Sequence, residues 1–377
     1  MRILIALGTR PEIIKLGPVY RALRAGGAQV DVFWSGQHVD LAAGLMELFD
    51  IRVTHSSAGI VEETSLGAKY GRIVERVSAV LENDDYDWVI VQGDTATAAG
   101  AATAAFVCRV PVAHVEAGLR TGTLDSPWPE EFNRRLITLA TTLHFPPTAA
   151  SRQHLLDEGV ADERILVVGN TAVDALLHVR ARISRDYRPL DPALESLPQD
   201  KKLVLATLHR RENIGAPLND ILHALRELGD DGDKLIVLPV HPNPGIRAQV
   251  LEVLSNAPNV RLLAPLLYSD FVYLLDRAWT VVTDSGGVQE EAPSFGLQIL
   301  IARESTERPE VVEAGFGTLV GADREAIVAG VRRLTSTTAP QLLKPNNPFG
   351  SGDAACRIAD CIINRVSCQS YAMQAAE

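Results

Sequence analysis

Two short stretches of this chain bring together side chains suited to chemistry. His-Val-Glu-Ala-Gly-Leu-Arg-Thr-Gly runs from His114 to Gly122, followed closely by Ser-Pro-Trp-Pro-Glu-Glu-Phe-Asn-Arg-Arg from Ser126 to Arg135. Thr-Asp-Ser-Gly-Gly-Val-Gln-Glu-Glu runs from Thr283 to Glu291. Each begins where an apolar, β-branched run ends, and in open α/β sheets ligands bind beyond the carboxyl ends of strands. The first stretch supplies carboxylates. The second supplies a hydroxyl and two glycines ahead of a helix, a shape suited to phosphate because backbone N–H groups and the helix N-terminus both favour an anion. Carboxylates together with a phosphate cradle imply proton chemistry on a nucleotide-linked substrate.

The other strand ends repeat the pattern. The first strand ends in Gly8-Thr9-Arg10-Pro11-Glu12, with Lys15 one turn on, and the run at Val89 ends in Gln92-Gly93-Asp94-Thr95. Later runs end in His209-Arg210-Arg211-Glu212-Asn213 and in His241-Pro242-Asn243. General acid–base catalysis needs a carboxyl group within hydrogen-bond reach of the reacting atom, which makes Asp94, Glu116 and Glu130 the proton-transfer candidates. Their structural alternatives are a helix cap for Asp94, an ion pair with Arg120 for Glu116 and a helix start for Glu130. Ser285, Gly286 and Gly287 form either a diphosphate cradle or a capped turn. Glu290 and Glu291 suit the two hydroxyls of a ribose or the helix N-terminus. Arg10 and Lys15 could neutralise a diphosphate; taken singly they read as solvated surface charges. Arg308, in Ser305-Thr306-Glu307-Arg308-Pro309-Glu310, reaches a phosphate or joins a surface ion-pair network. His209 could carry a proton or contact a phosphate, although a lone histidine is more often structural. Neither a GxGxxG nor a GxxxxGK[ST] motif occurs, so no dinucleotide or Walker-type site is expected.

The elements that must hold these residues alternate in a βαβ rhythm. Candidate strands are 2–7, 29–34, 88–92, 110–115, 143–145 and 165–168, then 203–207, 234–240, 260–263, 280–283 and 298–301. Amphipathic stretches lie between them, and the small-residue run 96–107 reads as a buried helix. At 377 residues the chain exceeds what one core usually sustains. The expected fold is α/β, with two Rossmann-like, doubly wound lobes and a cleft between them. The N-terminal lobe is expected over 1–168, joined by a C-terminal helix at about 351–377 whose helical spacing spans 353–365, and the second lobe over 172–350. Gly169-Asn170-Thr171 is the expected hinge.

A net charge of −11 argues against a general nucleic-acid binder. The apolar N-terminal run is too short for a signal peptide or membrane span, so no membrane partner is expected. Cys108, Cys356, Cys361 and Cys368 form no close CxxC pair and no metal-ligand spacing, which fits a reduced, cytoplasmic protein and no metal site.

Together these motifs resemble the non-hydrolysing UDP-N-acetylglucosamine 2-epimerases. The matching stretches also include Gly169-Asn170-Thr171, Pro239-Val240-His241, Thr306 to Glu310 and Asn347-Pro348-Phe349-Gly350, so the resemblance runs along nearly the whole chain. It implies a GT-B-like fold, a homodimer, no cofactor, and reversible inversion at C2 of UDP-GlcNAc through elimination of UDP to a 2-acetamidoglucal and its re-addition. It implies that Asp94, Glu116 and Glu130 carry protons and that His209 lies near the diphosphate. Arg10, Lys15, Ser285, Gly286 and Gly287 fall on diphosphate-binding positions, Glu291 on the ribose-binding acid and Phe271 on the uracil contact, with Arg308 completing the pocket. Many bacterial members carry Gln-His-Arg-Glu/Gln-Met after the second strand, where substrate also binds as an activator. Here the stretch is Gln37-His38-Val39-Asp40-Leu41, with Gln37, Arg210 and His241 matching activator-site positions. Asp40 and Glu62-Glu63 add negative charge, so weakened or absent substrate activation is the expectation. A 2-epimerase for a modified UDP-sugar and a GT-B glycosyltransferase are the alternative functions.

Overall fold

The computed structural model describes residues 1–36, 39–57, 65–183, 187–210 and 213–364. It divides the chain into two compact units. One comprises Met1–His178 together with the chain from Phe349 onward, and the other comprises Val179–Pro348. The chain passes from the first unit to the second inside the helix Thr171–Arg182, beyond the hinge expected at Gly169-Asn170-Thr171.

The first unit holds β1 (Arg2–Leu7), β2 (Gln29–Trp34), β3 (His55–Ser56), β4 (Trp88–Gln92), β5 (Val112–Val115) and β6 (Leu143–Phe145) in the order β3-β2-β1-β4-β5-β6. The second holds β7 (Lys202–Thr207), β8 (Lys234–Pro239), β9 (Val260–Leu263), β10 (Thr280–Thr283), β11 (Ile299–Ile301) and β12 (Gly317–Leu319) in the order β12-β11-β10-β7-β8-β9. Every pairing is parallel: Ile5 lies opposite Val32 and Ile90, and Val204 opposite Ile236 and Thr280. Near-continuous apolar runs such as Ile3–Leu7 are buried on both faces, as parallel strands covered by helices require. In each sheet the strand order reverses direction at one place, between β1 and β4 and between β7 and β10. Such switch points leave a crevice beyond the strand ends, where ligands bind.

The helix Ala96–Val107 is buried along Ala98, Ala101, Ala102 and Ala105, as its composition predicts. Its last residues, Phe106 and Val107, emerge into solvent. Residues 165–168 form only a single bridge, Ile165 to His144, instead of the expected strand. Leu166 N and Val168 N still donate to His144 O at 2.9 Å and Pro146 O at 3.2 Å, while the carbonyls of Val167 and Val168 accept from the Arg357 guanidinium at 2.8 and 3.3 Å. β3 and β12 are absent from the expected strands, because two or three residues show no alternation.

Gly169 and Gly350 bring two of the motifs into contact. Gly169 has φ +93° and Gly350 φ +127°, and a Cβ on Gly169 would stand 3.0 Å from the Phe349 carbonyl. Backbone packs directly on backbone here, with Asn170 N donating to Phe349 O at 2.6 Å. The expected C-terminal helix is present as Ala354–Asn364, with Ile358 and Ile362 buried in the first unit; its expected continuation to 377 lies outside the described residues. Asp174 accepts the Ala355 N–H at 2.8 Å, satisfying a donor at that helix start. Burial raises the Asp174 carboxyl to about 6. Because the folded protein resists ionising Asp174, its presence costs stability as pH rises from about 4 to about 6. Asp174→Asn keeps an acceptor for Ala355. Its melting temperature relative to the parent is expected to rise across that window and stay level above it, read by thermal melts at several pH values.

Candidate active site

The first switch point is tied together by Glu12. Thr9 precedes the helix Arg10–Ala25, with Pro11 in its first turn and Glu12 three residues after the cap. One Glu12 oxygen accepts Gly8 N at 3.0 Å and the Thr9 hydroxyl at 2.7 Å, half of a capping box. The other accepts the Thr95 hydroxyl at 2.6 Å, so one buried carboxyl joins the turns after β1 and β4. Burial pushes it up to about 7. Arg10 begins the helix, half-buried.

Lys15 lies one turn beyond Glu12 on the same buried face. Its ammonium bonds Glu116 Oε1, while the Gln92 amide donates to Glu116 Oε2. Glu116 sits just past β5 at φ +63°, a left-handed conformation that costs a non-glycine residue about 1–2 kcal/mol. Strain of this kind persists where surrounding bonds enforce it, and it clusters at functional sites. Glu116 N donates to Phe145 O at 3.0 Å, fixing the backbone from the β6 side.

Asp94 ends the neighbouring strand. It accepts Arg134 Nε at 2.7 Å, and its carbonyl accepts Asn133 Nδ2 at 2.8 Å. Both partners lie on the helix Glu130–Ala140, whose inward face carries Glu131, Arg134 and Thr138. Glu131, with no exposed surface, accepts from Arg134 at 3.2 Å and from Thr121 N at 3.2 Å. Glu130 starts this helix, and its Oε2 is buried with no hydrogen-bond partner among the described residues. His114 is buried, and burial lowers its pKa to about 4, so it stays neutral. Its Nε2 lies 2.8 Å from the Gly93 carbonyl, which positions the turn carrying Asp94.

The second switch point is built around Asp284, fully buried after β10. It accepts backbone N–H groups from His209 and Arg210, each at 3.0 Å, and the Asn213 amide at 3.0 Å. His209 Nδ1 lies 3.1 Å from Asp284 Oδ1. The His209 ring faces that of His241, with centroids 6.1 Å apart. Burial, then the neighbouring His209, lowers the His241 pKa. Ser285 precedes the short helix Gly286–Glu291 and makes no side-chain capping bond to it. Arg308 lies flat against Gly286, where an added Cβ would stand 2.9 Å from the guanidinium carbon; at Gly287 the nearest atom is 3.9 Å away. Arg308 bonds Glu290 Oε1 through Nε at 2.9 Å and Nη2 at 2.8 Å, and Glu307 through Nη1 at 2.9 Å. Glu291 accepts the Tyr268 hydroxyl at 2.9 Å. Phe271 is half-buried on the helix Tyr268–Arg277.

The structure therefore gathers Lys15, Asp94 and Glu116 at the β1/β4/β5 ends, and His209, Arg210, Ser285, Gly286 and Gly287 at the β7/β10 ends. Several structural alternatives are corrected. Arg120 pairs with Glu158, not Glu116. Thr95, not Asp94, caps the helix Ala96–Val107. Lys15 is buried in an ion pair, and Arg308 is half-buried in pairs with Glu290 and Glu307. Arg210 lies within 3.4 Å of the Asp284 carbonyl. Gln37, Glu62, Glu63 and Cys368 fall outside the described residues. Sequence reading missed Glu12, Gln92, Arg134 and Asp284 as organisers. Only Glu12 left a signal, the Thr-x-x-Glu spacing at a helix start. Among the described residues no helix is long and apolar enough to cross a membrane, and no cluster of three or more His, Cys, Asp or Glu side chains is placed to hold a metal ion.

Comparison with known proteins agrees with this architecture. The UDP-N-acetylglucosamine 2-epimerase family model matches residues 21–363. The UDP-N-acetylglucosamine 2-epimerase of Escherichia coli K12 is 41% identical, over 97% of this chain and 99% of that protein. The Neisseria meningitidis UDP-GlcNAc 2-epimerase, solved bound to UDP-GlcNAc, superposes with a TM-score of 0.90 at 36% identity, over 97% of this chain and 100% of that one. The S. aureus MnaA–UDP structure gives a TM-score of 0.86 at 35% identity, over 97% and 96%. The two parallel six-stranded sheets with flanking helices are thus those of GT-B-like epimerases. This chain belongs to the UDP-N-acetylglucosamine 2-epimerase family, whose members are isomerases.

Proposed function

We propose that this chain interconverts UDP-GlcNAc and UDP-ManNAc by eliminating UDP to a 2-acetamidoglucal and adding it back. The observation that carries the reading is the pair of carboxylates at adjacent strand ends, Asp94 and Glu116, each held by a cation, Arg134 and Lys15. The C2 hydrogen has no neighbouring carbonyl to make it acidic. Its removal must therefore be coupled to loss of a good leaving group from C1. A carboxylate takes the C2 proton as the C1–O bond breaks and the electron pair leaves with the β-phosphate. In the return step a carboxyl group delivers a proton to the opposite face of C2, and UDP rebonds at C1. Charge and atoms balance without an oxidant, so no cofactor is required. Asp94, Glu116 and Glu130 are the groups assigned to proton transfer.

UDP has to stay bound while the glucal exists. We assign its diphosphate to Arg10, Ser285, Gly286, Gly287 and His209, with Arg308 bracing the Gly286 turn, its ribose to Glu291 and its uracil to the neighbourhood of Phe271. The open space at Gly287 supports this, since a phosphate can approach the backbone there. Gly287→Ala is expected to keep or slightly raise the melting temperature, because alanine favours helix by about 1 kcal/mol over glycine. Its methyl occupies the approach, so UDP affinity should fall about tenfold or more, a loss of about 1.4 kcal/mol, by calorimetry. Unchanged affinity would remove Gly287 from the cradle. The function itself is tested by product analysis with UDP-GlcNAc alone. UDP-ManNAc supports the reading, whereas free ManNAc with UDP indicates a hydrolysing enzyme and no change without an acceptor indicates a glycosyltransferase.

A further inference from the structure

Asp284 has a full set of donors and no exposed surface. Oδ1 takes His209 N at 3.0 Å and faces His209 Nδ1 at 3.1 Å; Oδ2 takes Arg210 N at 3.0 Å and Asn213 Nδ2 at 3.0 Å. One residue after β10 thus holds His209, Arg210 and Asn213 beyond β7. Thr207 and Thr283 reinforce the link, their hydroxyls 2.5 Å apart, and Thr283 Oγ1 also accepts Ser285 N at 2.9 Å. The His209 side chain remains 37% exposed, so its far edge is reachable while its near edge is engaged.

We propose that Asp284 is a positioning residue for His209, its carboxylate keeping the proton on Nδ1 so that Nε2 is the ring atom presented to the ligand. A carboxylate only accepts, so a nitrogen facing it must donate. This fixes the neutral ring in one tautomer and fixes the direction in which Nε2 can bond. Burial alone would raise the Asp284 carboxyl, but the bonds from His209 and Arg210 outweigh it and hold it below the usual range. When the ring is protonated, Nε2–H becomes a charge-assisted donor aimed at a phosphate oxygen.

The isosteric substitution Asp284→Asn makes the idea testable. An amide nitrogen placed at the Oδ2 position would oppose Arg210 N–H, which cannot become an acceptor. Placed at the Oδ1 position it opposes the His209 N–H, which keeps the remaining oxygen as an acceptor at 3.2 Å, and it meets His209 Nδ1, which can become an acceptor. The amide nitrogen should therefore turn toward the ring, and the neutral ring should move its proton to Nε2.

Nitrogen-15 NMR of histidine-labelled protein at alkaline pH reads the tautomer directly. The expected result is Nδ1–H for His209 in the parent chain and Nε2–H in Asp284→Asn, assigned with His209→Gln. The kinetic arm rests on the epimerase reading. Asp284→Asn should lower kcat about 10²-fold, because Nε2 of the neutral ring then already holds a proton and cannot accept one, but less than about threefold in a His209→Gln background, because the effect passes through His209. A parent His209 in the Nε2–H form, an unchanged tautomer in the variant, or equal losses in both backgrounds would overturn the proposal. The parent tautomer decides it even where the variant fails to fold. Failure of the parent chain to turn over UDP-GlcNAc would sink the epimerase reading while leaving the tautomer test intact.

Discussion

Glu116→Gln is expected to lower kcat about 10³-fold while UDP binding stays within a few-fold of the parent chain. General acid–base groups contribute on the order of 10²–10⁴-fold, and a neutral amide cannot accept the C2 proton. The isosteric change keeps the side chain in place, so the loss is chemical rather than steric. It also removes the carboxylate that Lys15 bonds, and a modest fall in melting temperature should accompany it. UDP affinity is the control, because the nucleotide grip is assigned to other residues. Asp94→Asn should behave in the same direction, with Arg134 losing one ionic partner and keeping Glu131. Steady-state kinetics with calorimetric UDP binding separates the two effects. Rates within tenfold of the parent in both variants would remove these carboxylates from the chemistry.

Arg308→Met is expected to cost about 3–5 kcal/mol of stability, because it takes away the cation bonded twice by the buried Glu290 carboxylate. For a unit of this size that is a fall of about 10 °C in melting temperature. Glu290→Gln added to Arg308→Met removes the buried carboxylate that Arg308 had paired and should restore most of the loss. UDP affinity should not recover with it, since the guanidinium that braces the Gly286 turn is still missing. Calorimetric melts and UDP titrations of the single and double variants check both halves. A single variant as stable as the parent, or a double variant no better than the single, would contradict the ion-pair account.

Much of this is legible in the sequence because parallel α/β proteins announce themselves. Apolar runs such as Arg2–Leu7 and Trp88–Gln92 alternate with helical spacing, and each ends on polar residues. That pattern alone locates Asp94, Glu116, His209 and Ser285 at strand ends. The partners of those residues are not legible. Lys15 and Glu116 are separated by about a hundred residues of chain, and their meeting depends on β1, β4 and β5 lying side by side. Asp284 reads as a turn residue beside Ser285, because nothing local reveals that His209, Arg210 and Asn213 donate to its carboxylate. Arg134 reads as one of several charges on an amphipathic helix, and only the packing of that helix aims it at Asp94. The shortest strands are lost for a different reason: His55–Ser56 pairs through backbone geometry alone, which side-chain alternation cannot report.

The central claim is that the C2 hydrogen leaves as a proton and returns from solvent-exchanged groups. The direct test is NMR of the purified chain with UDP-GlcNAc in D2O, without added cofactor. The account predicts UDP-GlcNAc and UDP-ManNAc both carrying deuterium at C2. UDP-ManNAc that keeps its original hydrogen at C2 would contradict it, because inversion would then proceed without proton abstraction at that carbon.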